Sequence, residues 1–272
     1  ITTVQTQLRA LHLRIAAGEM EDVLARHKTA ASIDWVAELL TRELDARKQR
    51  SIQRRIDAAE FPEVTTVEGF DWKFNPKIDR AKVEELTKLE FVCKHGIALF
   101  LGETGLGKTH LALAIGVLAA KAGHRVYCAS TKKLIQQIQL AKTRNSLDAL
   151  FRRMLASPLW LIDDWGVVSM ERQIAEEVFD LFDRRKHSSA MVLTSNRDIR
   201  EWGDVFPDPV LANATVDRIF DRAGIVVFQG KSYRLKGRIQ LPSLNGAEPP
   251  RKAAGEGRGS IRSARQKETR EG

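Results

Sequence analysis

Ile97-Ala98-Leu99-Phe100-Leu101-Gly102-Glu103-Thr104-Gly105-Leu106-Gly107-Lys108-Thr109-His110 passes from an apolar run through a glycine-rich turn into Leu111-Ala112-Leu113-Ala114-Ile115. That order reads as strand, loop, helix. Gly102, Gly107, Lys108 and Thr109 meet the phosphate-loop pattern G-x-x-x-x-G-K-[ST], and the flanking elements are those the motif requires. Glycine allows the backbone to wrap so that successive amides face one hollow, and the helix start adds unpaired donors and a positive dipole end. In such a loop Lys108 reaches the β- and γ-phosphates and the Thr109 hydroxyl holds Mg²⁺. The expected nucleotide cradle is therefore Gly102, Glu103, Thr104, Gly105, Leu106, Gly107, Lys108 and Thr109.

About fifty residues later, Leu159-Trp160-Leu161-Ile162 ends in Asp163-Asp164. An unbroken apolar run is the pattern of a parallel strand buried on both faces. Carboxylates at its C-terminal end fall where parallel sheets bind ligands. Asp163 is expected to orient Mg²⁺ through water, and Asp164 to activate an attacking water. A helix-capping Asp explains one of these acids and leaves the other without a role. Met191-Val192-Leu193-Thr194-Ser195 is a further strand, and Asn196 at its end is placed to hold the water or a γ-phosphate oxygen. Arg125–Ala129 and Gly224–Phe228 read as the remaining strands, with helices expected over 110–122, 131–140, 145–155, 171–186 and 209–221. Strands and helices alternating at this spacing imply a parallel sheet covered on both faces.

Ahead of this core the periodicity is helical. Leu8, Leu11, Ile15, Met20, Val23 and Leu24 suggest helix from Gln5 to about His27, with Gly18 as the break. Ser32 looks like an N-cap for a long helix bearing Val36, Leu39, Leu40 and Leu44. Within Arg42–Ile56, six basic residues face two acidic ones. Arg47, Lys48, Arg50, Arg54 and Arg55 are expected on its solvent face over Leu44, Ile52 and Ile56. That face reads equally as a solvated surface or as a contact for the phosphate backbone of DNA. Phe61-Pro62 ends the helix. Phe70, Trp72 and Phe74 in the following linker are expected to seal it onto the next domain, with adenine stacking a weaker reading, and 78–92 is expected to form one amphipathic helix.

The 272 residues carry a net charge of +9, and 43% of them are apolar, enough for one good core and a small second domain. Residues 230–272 hold eleven basic and four acidic residues, so the excess charge sits mainly in a tail. Beyond Gly237 that tail is rich in Gly, Pro, Ser and charge, and is expected to be disordered. No run approaches a membrane span and no secretory opening is present. Cys93 and Cys128 form neither a disulfide framework nor a zinc spacing, which points to a reducing, cytoplasmic setting. The expected division is 1–62 helical, 63–77 linker, 78–238 nucleotide-binding, and 239–272 tail.

The phosphate loop, Asp163-Asp164, Thr194-Ser195-Asn196, Asp217-Arg218 and Ser232-Tyr233-Arg234-Leu235 together resemble the IstB-like family of insertion-sequence helper proteins, over about Leu8 to Arg238. The resemblance implies an α/β P-loop NTPase of the AAA+ class, close to DnaC-type helicase loaders, with a five-stranded parallel sheet behind a small all-helical domain. It implies ATP and Mg²⁺ as ligands, ATP-dependent oligomers on double-stranded DNA, and a transposase as partner. Carried residue by residue, Asp163 is the metal-side acid, Asp164 stands at the base position, Asn196 is the first sensor, and Arg218 is a candidate arginine finger. Asp164 departs from the glutamate common at that position. A replicative helicase loader and a nucleotide-gated interaction protein are the other function classes.

Overall fold

The computed structural model describes residues 2–26 and 34–235. Three helices open the chain: α1 (Thr2–Ala10), α2 (Arg14–Arg26) and α3 (Asp34–Ala59). Leu8, Leu13, Met20, Val23 and Leu39 share a small apolar cluster where they meet. The break between α1 and α2 falls at Leu11–Leu13, where His12 has φ +60°, and not at the expected Gly18. Gly18 lies inside α2 with open space around it, a tolerated helical glycine costing about 1 kcal/mol against alanine. The turn at His12 instead lets Leu13 fold back, its amide donating to Leu8 O. The expected cap Ser32 and the tail 239–272 lie outside the described residues.

The inward face of α3 also departs from expectation. Leu44 is 65% exposed, while its neighbour Glu43 is 1% exposed. Periodicity favoured leucine inward, but the start of α2 presents bare amides to α3. Glu43 accepts from Ile15 N at 2.8 Å and from Arg47 Nε at 2.8 Å, with Arg50 at 3.2 Å. The carboxylate therefore caps a neighbouring helix from the side.

Next, α4 (Arg80–Thr87) is capped by Asp79, whose side chain accepts from Lys82 N, and α5 (Glu90–Cys93) follows. The single helix expected over 78–92 is split because Leu89 takes φ +60°. That kink sends the Leu89 side chain into the core under the sheet.

The sheet comprises β1 (Ile97–Gly102), β2 (Val126–Ser130), β3 (Leu159–Asp163), β4 (Ala190–Ser195) and β5 (Ala223–Phe228), all parallel, in the order β2-β3-β4-β1-β5. Between them run α6 (Lys108–Lys121), α7 (Thr131–Thr143), α8 (Leu147–Leu155), α9 (Arg172–Arg185) and α10 (Pro209–Phe220). Alternate residues of each strand feed two cores. Leu99, Trp160, Ile162, Met191 and Leu193 pack with α7 to α10, and Ala98, Phe100, Leu161 and Val192 pack against α6 and the 61–72 segment. The expected five-stranded α/β arrangement is present, and β4 lies between the phosphate-loop strand and the acidic strand.

Helix α3 reaches this core through its last turns. Arg55 Nε donates to Ala120 O at 2.9 Å at the C-terminal end of α6, and its NH1 to Ser51 Oγ at 2.7 Å. Arg55 was expected on the open basic face; here it is half-buried, completing the carbonyl end of another helix.

Burial pushes the Glu43 carboxyl up, but the Arg47 hydrogen bond and the Ile15 and Ala16 amides outweigh it and hold the group below its ordinary range. A lowered folded-state value means stability present above the unfolded pKa and lost as pH falls through the folded one. Glu43→Ala should cost about 2 kcal/mol, the value of a hydrogen bond to a charged group. Hydrogen exchange should show the loss confined to α1, α2 and the first half of α3, with the wild-type protein losing the same protection in acid.

Candidate nucleotide site

The phosphate loop leaves β1 and closes on itself before α6. Gly102 (φ +148°), Gly105 (φ +85°) and Gly107 (φ +93°) all have backbone angles that side chains rarely adopt. A Cβ at Gly102 would sit 2.2 Å from Phe228 O, and one at Gly107 would sit 2.4 Å from the Phe70 ring. Both glycines are therefore required by space as well as by angle. Lys108 is 6% exposed and its ammonium donates to Glu103 O at 2.7 Å, across the hollow of the loop. Burial holds its pKa down, while Asp164 and Asp163 favour the charged form. A buried ammonium whose hydrogen-bond partner is one backbone carbonyl fits an anion in that hollow.

Facing it, the acidic strand end is tied to β4 by one hydroxyl. Thr194 Oγ1, itself buried, donates to Asp163 Oδ1 at 2.5 Å and accepts from Asp164 N at 3.1 Å. Trp165 N adds a bond to Thr194 O. The same Asp163 Oδ1 accepts from Thr109 Oγ1 at 2.9 Å, so the two expected metal-side groups touch. A hydroxyl and a carboxylate form a hard oxygen pair suited to Mg²⁺, which binds few protein ligands and completes its shell with water and phosphate oxygens. Asp164 has φ +57°. Partial burial, and then the Asp163 charge, raise its pKa. Asn196 reaches the loop from β4, its Nδ2 donating to Thr104 Oγ1 at 3.3 Å.

These groups line one cavity of about 600 Å³. Its wall includes Thr104 to Thr109, Asp163, Asp164 and Asn196, which brings six of the eight expected cradle residues together with both acids and Asn196, while Gly102 and Glu103 are not among its lining residues. Among the other lining residues are Asn75, His110, Tyr233 and Arg234, for which no sequence pattern implies a site role. Asn75 is buried and clamps the chain after β5, accepting from Lys231 N at 2.9 Å and donating to Lys231 O at 3.0 Å. That clamp and a bond from Tyr233 N to Gly105 O (2.7 Å) lay residues 231–235 over the loop, where Arg234 acts electrostatically on Lys108 and Asp164. Phe70 and Phe74 line the same space, with Phe74 and Tyr233 in edge contact at 5.2 Å. Phe70 and Trp72 pack on the core as expected, and Phe70 and Phe74 form a wall of the cavity.

Arg218 is elsewhere. On α10 it donates to Asp183 Oδ1 at 2.6 Å and to Asp217 at 3.0 Å, beside Phe179, and it is not among the cavity's lining residues. Of the basic set, Arg47, Arg50 and Arg54 line a separate groove with His12 and Arg14, while Lys48 and Arg55 lie outside it.

The sequence signature of the IstB-like ATP binding proteins matches residues 3–241. The chain belongs to that family. It is 38% identical over 203 residues to a protein named for ATP binding in insertion sequence IS21 of Pseudomonas aeruginosa, covering 75% of this chain and 77% of that one. A counterpart in IS232 of Bacillus thuringiensis is 32% identical over 233 residues, covering 85% and 93%. Among solved structures, AMPPCP-bound DnaA from Aquifex aeolicus aligns with a TM-score of 0.51 at 21% identity, over 67% of this chain and 57% of that one. DnaI aligns at 0.51 and 20% identity, over 62% and 89%. These two likenesses concern the fold alone. The cavity just described is the candidate nucleotide site of this family member.

One hydroxyl thus positions both acids, and its removal should be read in the metal dependence of binding. Thr194→Val is expected to weaken Mg²⁺–ATP binding about fivefold to tenfold, the worth of about 1 kcal/mol, with ATP binding in EDTA unchanged and Thr194→Ser close to wild type. Calorimetry with and without Mg²⁺ checks this.

Proposed function

We propose that this protein hydrolyses ATP, assembles as a nucleotide-dependent homo-oligomer on double-stranded DNA, and assists a transposase in choosing and using its target. The observation that carries the ATPase part is the single cavity in which Lys108, Thr109, Asp163, Asp164 and Asn196 converge. The transposition part is supported by the insertion-sequence names of relatives up to 38% identical. The proposed division of labour is 1–62 for DNA or partner, 63–77 as connector, 78–238 as ATPase and 239–272 as basic tail, in the cytoplasm.

In this reading Lys108 exchanges its bond with Glu103 O for phosphate oxygens. Thr109 and Asp163 hold Mg²⁺, which when bound neutralises charge on the triphosphate. Phe70, Phe74 and Tyr233 offer aromatic faces and edges for the base. Asp164 takes the proton of the attacking water while the bond between the γ-phosphorus and the bridging oxygen breaks, releasing ADP and phosphate. A raised pKa makes that carboxylate a better base, and its side chain, one methylene shorter than glutamate, makes Asn196 the natural partner for orienting the water. Arg218 from a neighbouring subunit supplies the remaining positive charge, and must leave Asp183 to do so.

The Lys108 role is tested by calorimetry: Lys108→Ala should abolish the heat of ATP uptake in a protein that still folds. Uptake equal to wild type would remove the basis of this reading.

The Arg218 role is tested separately. Arg218→Ala should bind ATP with near wild-type affinity while turnover on DNA falls by about 10³ or more, the range for arginine fingers. Size-exclusion chromatography with ATP and DNA should show loss of the oligomer. Normal hydrolysis by a monomeric variant would exclude a role in trans.

A further inference from the structure

Away from the nucleotide cavity, a groove of about 870 Å³ lies between the α1–α2 turn and α3, lined by His12, Arg14, Arg47, Arg50, Ser51, Gln53 and Arg54. We infer that this groove is a seat for one strand of a phosphodiester backbone, an inference that rests on the DNA-binding reading and narrows it to particular residues.

The lining decides the chemistry. It has no aliphatic or aromatic hydrocarbon side chain, so an apolar helix or peptide has nothing to bury there. It presents four guanidinium groups above one buried carboxylate, Glu43, and so keeps a strong positive excess. Arginine's planar fork matches phosphate oxygens, and Ser51 and Gln53 add neutral donors.

The geometry is linear. At about 3.6 residues per turn, Arg47, Arg50 and Arg54 fall within about 60° of each other on α3, while Lys48 and Arg55 lie about 80–120° to one side. From Arg47 to Arg54 the helix rises about 10 Å, the axial span of about three phosphates on one strand. Two of these arginines are already positioned. Arg47 is held by Glu43 and by His12 O at 3.2 Å, and Arg50 by Glu43 and Ala46 O. Glu43 thus acts as the positioning residue of the groove, reducing the side-chain freedom lost on binding. Arg14 and Arg54 are exposed and have no acidic partner within 4 Å among the described residues, leaving their full charge available. Arg14 comes from the start of α2, so the groove exists only once that turn is folded against α3.

The test uses the full chain and labelled duplexes of two unrelated sequences, with anisotropy measured between about 50 and 200 mM salt, where phosphate contacts change affinity most clearly. Arg14→Ala and Arg54→Ala should each reduce the slope of log K against log salt by about 0.9, equally for both duplexes. Lys94→Ala, at the residue after α5 and outside the groove, should leave the slope unchanged, and matching melting curves confirm that the variants fold. If the wild-type protein binds duplex with a steep slope that neither groove variant alters, DNA binds elsewhere and the groove assignment is wrong while the DNA reading stands. If the wild-type protein shows no salt-dependent binding to duplex, the DNA reading itself fails. Variants that keep the wild-type slope but lose binding to polyglutamate would assign the groove to an acidic protein and overturn the inference.

Discussion

The site depends on one buried hydroxyl between two strands. β4 is inserted between β1 and β3, and its register sets Phe100 opposite Thr194 on one side and Ile162 opposite Leu193 on the other. Thr194 is therefore the point at which the phosphate loop and the acidic pair share a neighbour. Its hydroxyl has one proton to give and lone pairs to accept with, and it uses both, on Asp163 and on the Asp164 amide. The positions of both acids are thus referred to a sheet interior that cannot easily deform.

A second layer holds the loop from outside. The chain after β5 and the segment before α4 are 156 residues apart, yet Asn75 pairs with both polar groups of Lys231 as a strand neighbour would. That clamp fixes Tyr233 and Arg234 beside the loop, so the far end of the described chain forms part of the site wall. The Phe70 ring pressing on Gly107 makes the connecting segment the opposite wall. The candidate site is in this sense closed on its glycine turn by the segment before α4 and by the chain after β5.

Charge is handled differently at the two basic sites. Lys108 is desolvated and held among carboxylates, a point charge whose position matters. Arg47, Arg50 and Arg54 are exposed and spread along α3, the first two held by the buried Glu43 and by backbone carbonyls. Desolvation makes the first site strict about geometry, whereas the charges of the second face solvent and are screened by salt.

Much of this was legible in the residues alone. The phosphate loop, Asp163-Asp164, Asn196 and the parallel sheet are determined by patterns that are local in sequence: glycines where the backbone must turn left-handed, and apolar runs where strands are buried on both faces. The roles of Asn75, Thr194 and Arg234 were decided only by the tertiary structure, because strand order and the return of the chain over the loop bring them together. The same holds where local pattern misled. Leu44 fits the helical stripe better than Glu43, but the bare amides of α2 need an acceptor, and that need belongs to a neighbouring helix. Arg55 and Leu89 follow the same rule, since a carbonyl end on α6 and a space in the core drew them in. Sequence determines what each segment can do by itself; packing decides which unmet polar group or cavity in another segment it is asked to fill.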